Sequence, residues 1–82
     1  MNAFEVGDLV EIVSIPRAVI EDQPKFPETL CLFERALNKR FHIRSTNQYS
    51  FLELWVHNDG SEDNTGCVHS IWIEPTDLKK IR

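Results

Sequence analysis

The sequence predicts a mainly β domain of five short strands, with one α-helix inserted between the first and second strands. Apolar and polar side chains alternate in four separate stretches, and β-branched residues are concentrated there, whereas residues 27–37 have helical spacing instead. The 82 residues form a single domain. Its core is small, because a chain of this length buries only about 60–65% of its unfolded surface.

The first strand is predicted at residues 8–15, where β-branched side chains follow a glycine. Side chains alternate along a strand, so Val10 and Ile12 face inward together. Residues 16–26 are expected to form a loop, because two prolines and an acidic pair interrupt any periodicity.

The only helix is predicted at residues 27–37. Pro27 suits a first helical turn and Arg35 complements the dipole at the other end. Asn38 tolerates the left-handed conformation that stops a helix. The helix carries an apolar stripe of Leu30, Phe33 and Leu37.

The remaining strands are predicted at 40–44, 51–57, 68–73 and 78–81. A hairpin turn at 45–49 joins the second and third strands, and a tight turn at 75–77 precedes the last. Residues 58–66 are expected to be a mobile acidic tip, too polar to pack. Alternation places His69 on the inner side with Ile71, and Phe4 and Val6 are expected to cover one end of the core. The predicted core is Val10, Ile12, Leu30, Phe33, Leu37, Phe41, Ile43, Leu52, Leu54, Val56, Ile71, Ile73 and Leu78.

Composition favours a protein partner. Nine Lys and Arg against 13 Asp and Glu give a net charge of −4, which argues against general binding to nucleic acid or to anionic membranes. No apolar run approaches the roughly 20 residues that span a bilayer. Two cysteines without CxxC spacing, and a start that does not resemble a signal peptide, predict a cytoplasmic protein with reduced thiols.

Two motifs carry a resemblance to a known architecture. The run VGDLVEI at 6–12 is similar to the GDxVxI opening of many bacterial SH3-like domains, and IWIEPTDL at 71–78 resembles the turn and final strand that close such barrels. The chain also resembles small bacterial proteins with an LFxxALxxxF middle and a WIEP ending, a likeness that implies no activity. Distantly similar SH3-like proteins include the variable chain of ferredoxin–thioredoxin reductase, the ferredoxin-docking subunit of the photosynthetic NDH complex and the β chain of nitrile hydratase. The resemblance implies an SH3-like five-stranded barrel and an accessory subunit without catalytic residues.

The leading candidate site is an aromatic face. Trp55 and Trp72 occupy outward positions on strands expected to be neighbours, and large exposed aromatic side chains mark interfaces. The predicted partner-binding set is Trp55, Trp72, Glu53, His57 and Ser70. The alternative is that the helix stripe covers this face and makes both tryptophans part of a second core.

Two charged groups support rival hypotheses. The basic cluster of Arg35, Lys39, Arg40 and Arg44 could hold a single-stranded nucleic acid, although a solvated face is the simpler interpretation. The acidic residues Asp59, Glu62 and Asp63 could belong to an inhibitor or immunity-type protein that blocks a basic site, or could simply promote solubility.

The sequence predicts no enzyme, metal site or cofactor. Cys31, Cys67, His42, His57 and His69 are the candidate thiol and imidazole ligands or nucleophiles. Only Cys67 and His69 share a strand face, whereas structural zinc needs four ligands and nucleophilic catalysis needs an oxyanion donor. We therefore expect a non-catalytic interaction module or accessory subunit, binding through the tryptophan face and the connection from Ile15 to Phe26. A second copy of the chain is among the partners that such a face suits.

Overall fold

The computed structural model describes residues 4–21, 27–66 and 69–82. In chain order its elements are β1 (Leu9–Ile12), α1 (Arg17–Glu21), α2 (Pro27–Ala36), β2 (Arg40–His42), β3 (Ser45–Thr46), β4 (Leu52–Val56), β5 (His69–Ile73), a 3₁₀ turn (Pro75–Asp77) and β6 (Leu78–Lys80). As predicted, the longer helix lies between the first and second strands, and Asn38 follows it with a positive φ of 66°.

The strands form two antiparallel sheets of three strands each, in the orders β2-β1-β6 and β3-β4-β5. In the first sheet Val10 lies opposite Phe41 on one side and Lys80 on the other. In the second, Leu54 lies opposite Ile71. The protein is therefore a small, mostly β domain, as its alternating pattern predicts.

Residues 40–46 contribute to both sheets. The Ile43 N–H donates to the Asp8 carbonyl at 2.9 Å, whereas the Arg44 N–H donates to the Glu53 carbonyl at 2.9 Å. Ser45 also lies opposite Glu53, so two consecutive residues oppose one. This is the pattern of a β-bulge, which bends a strand. The bend carries the chain from one sheet into the other.

The core contains eleven of the thirteen predicted residues. Leu37 packs against it half-buried, and Leu30 is also only half-buried. Ala36, which was not predicted, is fully buried with Phe33. The helix approaches the core through its second half, where a small side chain allows close contact, so Leu30 in the first turns is less covered. Phe4 packs against the core, but Val6 is 60% exposed, contrary to expectation.

Residues 17–21 are helical, so the prediction of a loop with no second helix is wrong there. Pro16 begins the turn, and its carbonyl accepts from the N–H groups of Val19 and Ile20. Arg17 and Glu21 form an i,i+4 ion pair at 2.8 Å. The apolar run around Val19 is weak, but it is sufficient to hold a short helix because the Val19 side chain packs against the core. The rest of the predicted loop, 22–26, lies outside the described residues.

The segment 58–66 packs, contrary to the expectation that it is too polar to do so. Gly60 is buried against the end of α2, and Asp63 is fully buried. The His57 N–H donates to the Ser61 carbonyl at 2.7 Å, and the Asp63 N–H donates to the Trp55 carbonyl at 2.9 Å. These bonds fold the segment back on the end of β4.

Candidate functional site

Both tryptophans lie on the outer face of the sheet β3-β4-β5. Trp55 is opposite Ser70, and Trp72 is opposite Glu53, so the two rings are diagonal neighbours across the β4–β5 ladder. The intervening residues Leu54 and Ile71 point to the other face and are buried. The outward placement of the tryptophans follows from this alternation.

The helix does not cover the tryptophans. Phe33 and Ala36 of α2 belong to the same buried cluster as the inward-facing residues of β4 and β5. The helix therefore packs on the core side of the sheet, and the alternative in which its stripe covers the outer face is wrong.

Trp55 is covered instead by a cation and by the backbone. The Arg44 guanidinium lies 4.7 Å from the centroid of the Trp55 ring. On the same ring, a Cβ added to Gly66 would lie only 3.2 Å from three carbons. Arg44 is itself held by Asn64, whose Oδ1 accepts from Nη2 at 2.8 Å, and by the Glu62 carboxylate at 3.4 Å. Trp55 is thus half-buried under residues of its own chain.

Trp72 is the aromatic residue of this face that remains open, with 43% of its surface exposed. Glu53 beside it is half-buried and Ser70 is exposed. Phe51 is half-buried on the same face by alternation, and Tyr49 in the adjoining turn is 71% exposed. The accessible part of the face is therefore centred on Trp72.

The predicted partner-binding set is divided by the structure. Trp72, Glu53 and Ser70 lie together. His57 lies beyond the far end of β4, where its Nε2 is 3.6 Å from Asp63 Oδ1. Trp55 and His57 thus belong with the segment 58–66, and the other three form the open surface.

The four basic residues are held in contacts within the chain, and three of them contact 58–66. Arg40 pairs with Glu11 at 3.5 Å, and Arg44 is held as described above. Arg35 Nη1 donates to the Asn58 carbonyl at 3.1 Å, and Lys39 Nζ donates to the Asp59 carbonyl at 3.0 Å. The acidic segment and the basic cluster stabilise each other.

The three acidic residues also bind partners within the chain. Asp59 Oδ1 accepts from both the N–H and the hydroxyl of Ser61, and Asp63 Oδ1 accepts in the same way from Thr65. The Ser61 hydroxyl, followed by its N–H, lowers the pKa of Asp59. The Glu62 carboxylate accepts from the backbone N–H of His42 at 2.6 Å.

The candidate ligands are dispersed. His42 Nδ1 contacts Glu62 at 3.1 Å, and Cys31 is free and exposed. His69 Nε2 lies 2.5 Å from Asn58 Oδ1, and the residue is exposed, so the prediction that it faces the core is wrong. It begins β5 opposite the buried Val56, but it lines an opening beside α2 and is therefore left uncovered. Cys67 lies outside the described residues. Within 4–21, 27–66 and 69–82, no group of three or more His, Cys, Asp or Glu side chains could hold a metal ion.

A groove of about 450 Å³ that was not predicted lies between α2 and the start of β5. It is lined by Glu28, Thr29, Leu32, Arg35, Asn58 and His69. These residues are distant in sequence and share no motif, so nothing in the sequence could have indicated the groove.

Comparisons with protein-family models, with curated proteins and with solved structures returned no match. In the described part of the chain, neither helix has the length and apolar character needed to cross a membrane. The function is therefore inferred from the geometry of the open face.

Proposed function

We propose that this chain is a non-catalytic protein-interaction module or accessory subunit, which binds a protein partner through the sheet face centred on Trp72. The observation that carries the proposal is the contrast between the two tryptophans. Trp55 is already covered by Arg44 and Gly66, whereas Trp72, on the same face, is 43% exposed. Tryptophan is enriched among the residues that carry most of the binding energy at protein interfaces.

We further propose an SH3-like arrangement of the strands. When residues 40–46 are counted as one bent strand, the chain has five strands, and this strand pairs with β1 at one end and β4 at the other. The 3₁₀ turn immediately before β6, and the pairing of β6 with β1, support the same arrangement. Fold similarity does not define function, so the interaction role rests on Trp72. A cytoplasmic location remains a prediction from the sequence.

The proposal is tested by comparing two exposed apolar residues. Trp72 and Val13 are both 43% exposed, but Val13 follows β1 in the other sheet. The partner retained by the immobilised wild-type protein is identified, purified and titrated against Trp72→Ser and Val13→Ser. We expect Trp72→Ser to raise Kd by at least about 30-fold, as loss of a hot-spot residue does, and Val13→Ser to leave it unchanged. Equal affinities for the two variants would disprove the proposal.

The same proteins, with Arg40→Gln added, separate this proposal from nucleic-acid binding and test for a homodimer. A single-stranded oligonucleotide bound at about 50 mM salt, with affinity lost in Arg40→Gln but kept in Trp72→Ser, would favour nucleic-acid binding. Sedimentation shows whether the partner is a second copy, because a homodimer formed through this face becomes a monomer in Trp72→Ser.

A further inference from the structure

We propose that Trp72, together with Glu53 and Glu74, binds the guanidinium group of an arginine presented by a basic segment of the partner. The inference rests on the proposed function and specifies the chemistry of the partner at that face. It follows from a comparison between the two tryptophans of the same sheet.

The chain already binds one of its own arginines in this way. Arg44 stacks on Trp55 at 4.7 Å, and its Nη2 lies 3.4 Å from a carboxylate oxygen of Glu62. A guanidinium attracts the negative face of an indole, and a nearby carboxylate adds a charge-assisted hydrogen bond. The ring and the carboxylate thus hold the cation through its face and Nη2, although Arg44 Nε is buried without a hydrogen-bond partner among the described residues.

Trp72 has the aromatic ring and the carboxylates but no cation among the described residues. Glu53 is its direct cross-strand partner, so their Cβ atoms are about 5 Å apart. Glu74 is exposed and comes two residues after Trp72, directly after the end of β5, so continued alternation would place it on the outer side with Trp72. Neither glutamate forms a side-chain hydrogen bond or ion pair within the described ranges. A cation placed over Trp72 would have a carboxylate on two sides.

The chemistry favours arginine over other occupants. A purely apolar side chain would leave two carboxylates beside a desolvated surface, which is unfavourable. Lysine supplies a strongly hydrated point charge, whereas a guanidinium stacks flat on an indole and presents a fork of donors to carboxylates. The net charge of −4 steers a basic segment towards the protein.

The test uses NMR of the ¹⁵N-labelled full chain, in which the two indole N–H signals are assigned from Trp72→Phe. The probes are three blocked pentapeptides with glycine spacers, carrying two arginines, two lysines or two citrullines, the last being a neutral analogue of arginine. We expect the arginine peptide to shift the Trp72 signal saturably, with Kd in the range of about 1–10 mM, and to leave the Trp55 signal in place. The double variant Glu53→Gln/Glu74→Gln should bind the arginine peptide about three- to tenfold more weakly than the wild type. The control variant Glu34→Gln, on the exposed face of α2, should bind it as the wild type does.

Equal shifts with the citrulline peptide, or no shift of Trp72 with any peptide up to about 20 mM, would overturn the arginine proposal. The two proposals fail separately. If Trp72→Ser abolishes binding of the purified partner but the arginine peptide does not bind, the interaction face stands and its arginine chemistry is wrong. If the arginine peptide binds but Trp72→Ser leaves the affinity for the partner unchanged, Trp72 binds arginine but the partner does not bind at this face.

Discussion

Single residues in 58–66 convert a polar segment into a packed one. Asp59 and Asp63 each begin an Asp-x-Ser or Asp-x-Thr unit in which one carboxylate oxygen accepts from the N–H and hydroxyl two residues later. The Asp59 carboxylate is exposed, whereas Asp63 is buried. A buried carboxylate requires hydrogen-bond donors, and Thr65 supplies two of them locally. The segment therefore satisfies part of its polar groups locally, and α2 and β2 with their adjoining residues supply donors for others.

Gly60 is where this segment approaches α2 most closely. Its φ is +89°, and an added Cβ would lie 2.3 Å from the backbone carbonyl of Arg35. Gly7 has a similar φ of +95° with nothing within 4 Å, so it is a matched control for backbone strain alone. We expect Gly7→Ala to lower the free energy of unfolding by about 1–2 kcal/mol and Gly60→Ala by at least about 3 kcal/mol, because a steric clash adds to the strain. Urea denaturation measures both, and equal losses would show that the contact with Arg35 is not tight.

At this scale, alternation is a good predictor of burial for apolar residues and a poor one for polar residues. Val10 and Ile12 are buried as their spacing predicts. Asp63 is not predictable in this way, because its burial depends on donors brought by a fold-back and on cover from distant residues. The prediction for His69 is wrong because alternation fixes the face of a strand but not whether another element covers that face at each position.

Among the elements, α2 determines how the core is closed on the side opposite the tryptophans. Its fully buried contacts are Phe33 and Ala36, and Leu32 packs beside them half-buried, so the full predicted stripe is not used. An amphipathic pattern defines a face about 100° wide, and the tertiary contact selects part of it. This is why the helix was predictable from its periodicity, but its exact orientation was not.

The orientation of α2 predicts unequal costs for two similar truncations. Phe33→Ala should lower the free energy of unfolding by about 3–5 kcal/mol, because it leaves a cavity in the core. Leu30→Ala, at a half-buried position outside the core cluster, should cost less than about 1.5 kcal/mol. Chemical denaturation followed by far-ultraviolet circular dichroism measures both. If Leu30→Ala lost as much stability as Phe33→Ala, the first half of α2 would pack against the core as closely as the second half does.

The shorter helix α1 could not be predicted from the sequence, for a different reason. Five residues are too few for periodicity to be recognised, and isolated helices of that length are unstable in water. The segment is helical because Val19 packs against the core, which is information that only the tertiary structure contains.

The whole molecule is held by contacts between the ends of the described chain and β1. The Leu9 N–H donates to the Arg82 carbonyl at 2.9 Å, and the Ile81 N–H donates to the Leu9 carbonyl at 2.8 Å. Asp8 reinforces this closure, because its Oδ2 accepts from the Glu5 N–H at 2.8 Å and lies 3.3 Å from Lys80 Nζ. Apart from the local bond between Glu5 and Asp8, these contacts join residues more than 70 positions apart, so no local pattern could have predicted them.

Asp8 should contribute to the loss of global stability in acid. The Glu5 N–H is the main cause that lowers the pKa of Asp8 below 3.8, and Lys80 lowers it further. A carboxyl with a lower pKa in the folded state stabilises the fold above its unfolded pKa, and that contribution is lost as the pH falls through the folded value. Asp8→Asn keeps an oxygen acceptor but removes the charge. The free energy of unfolding of this variant should therefore fall less steeply between pH 5 and pH 3 than that of the wild type. Urea midpoints across that range measure the difference. Parallel curves would mean that the charge of Asp8 does not stabilise the fold.

The hydrogen bond from the His42 N–H to Glu62 has a consequence for aggregation. β2 is an edge strand, and a free edge offers unpaired N–H groups to which another chain can add a strand. Here a side chain from 58–66, and not a neighbouring strand, occupies the edge at His42. Arg44 and His42 also contact this carboxylate, so it is held where it keeps the His42 N–H occupied. The segment therefore removes the His42 N–H from the groups to which another chain could add a strand.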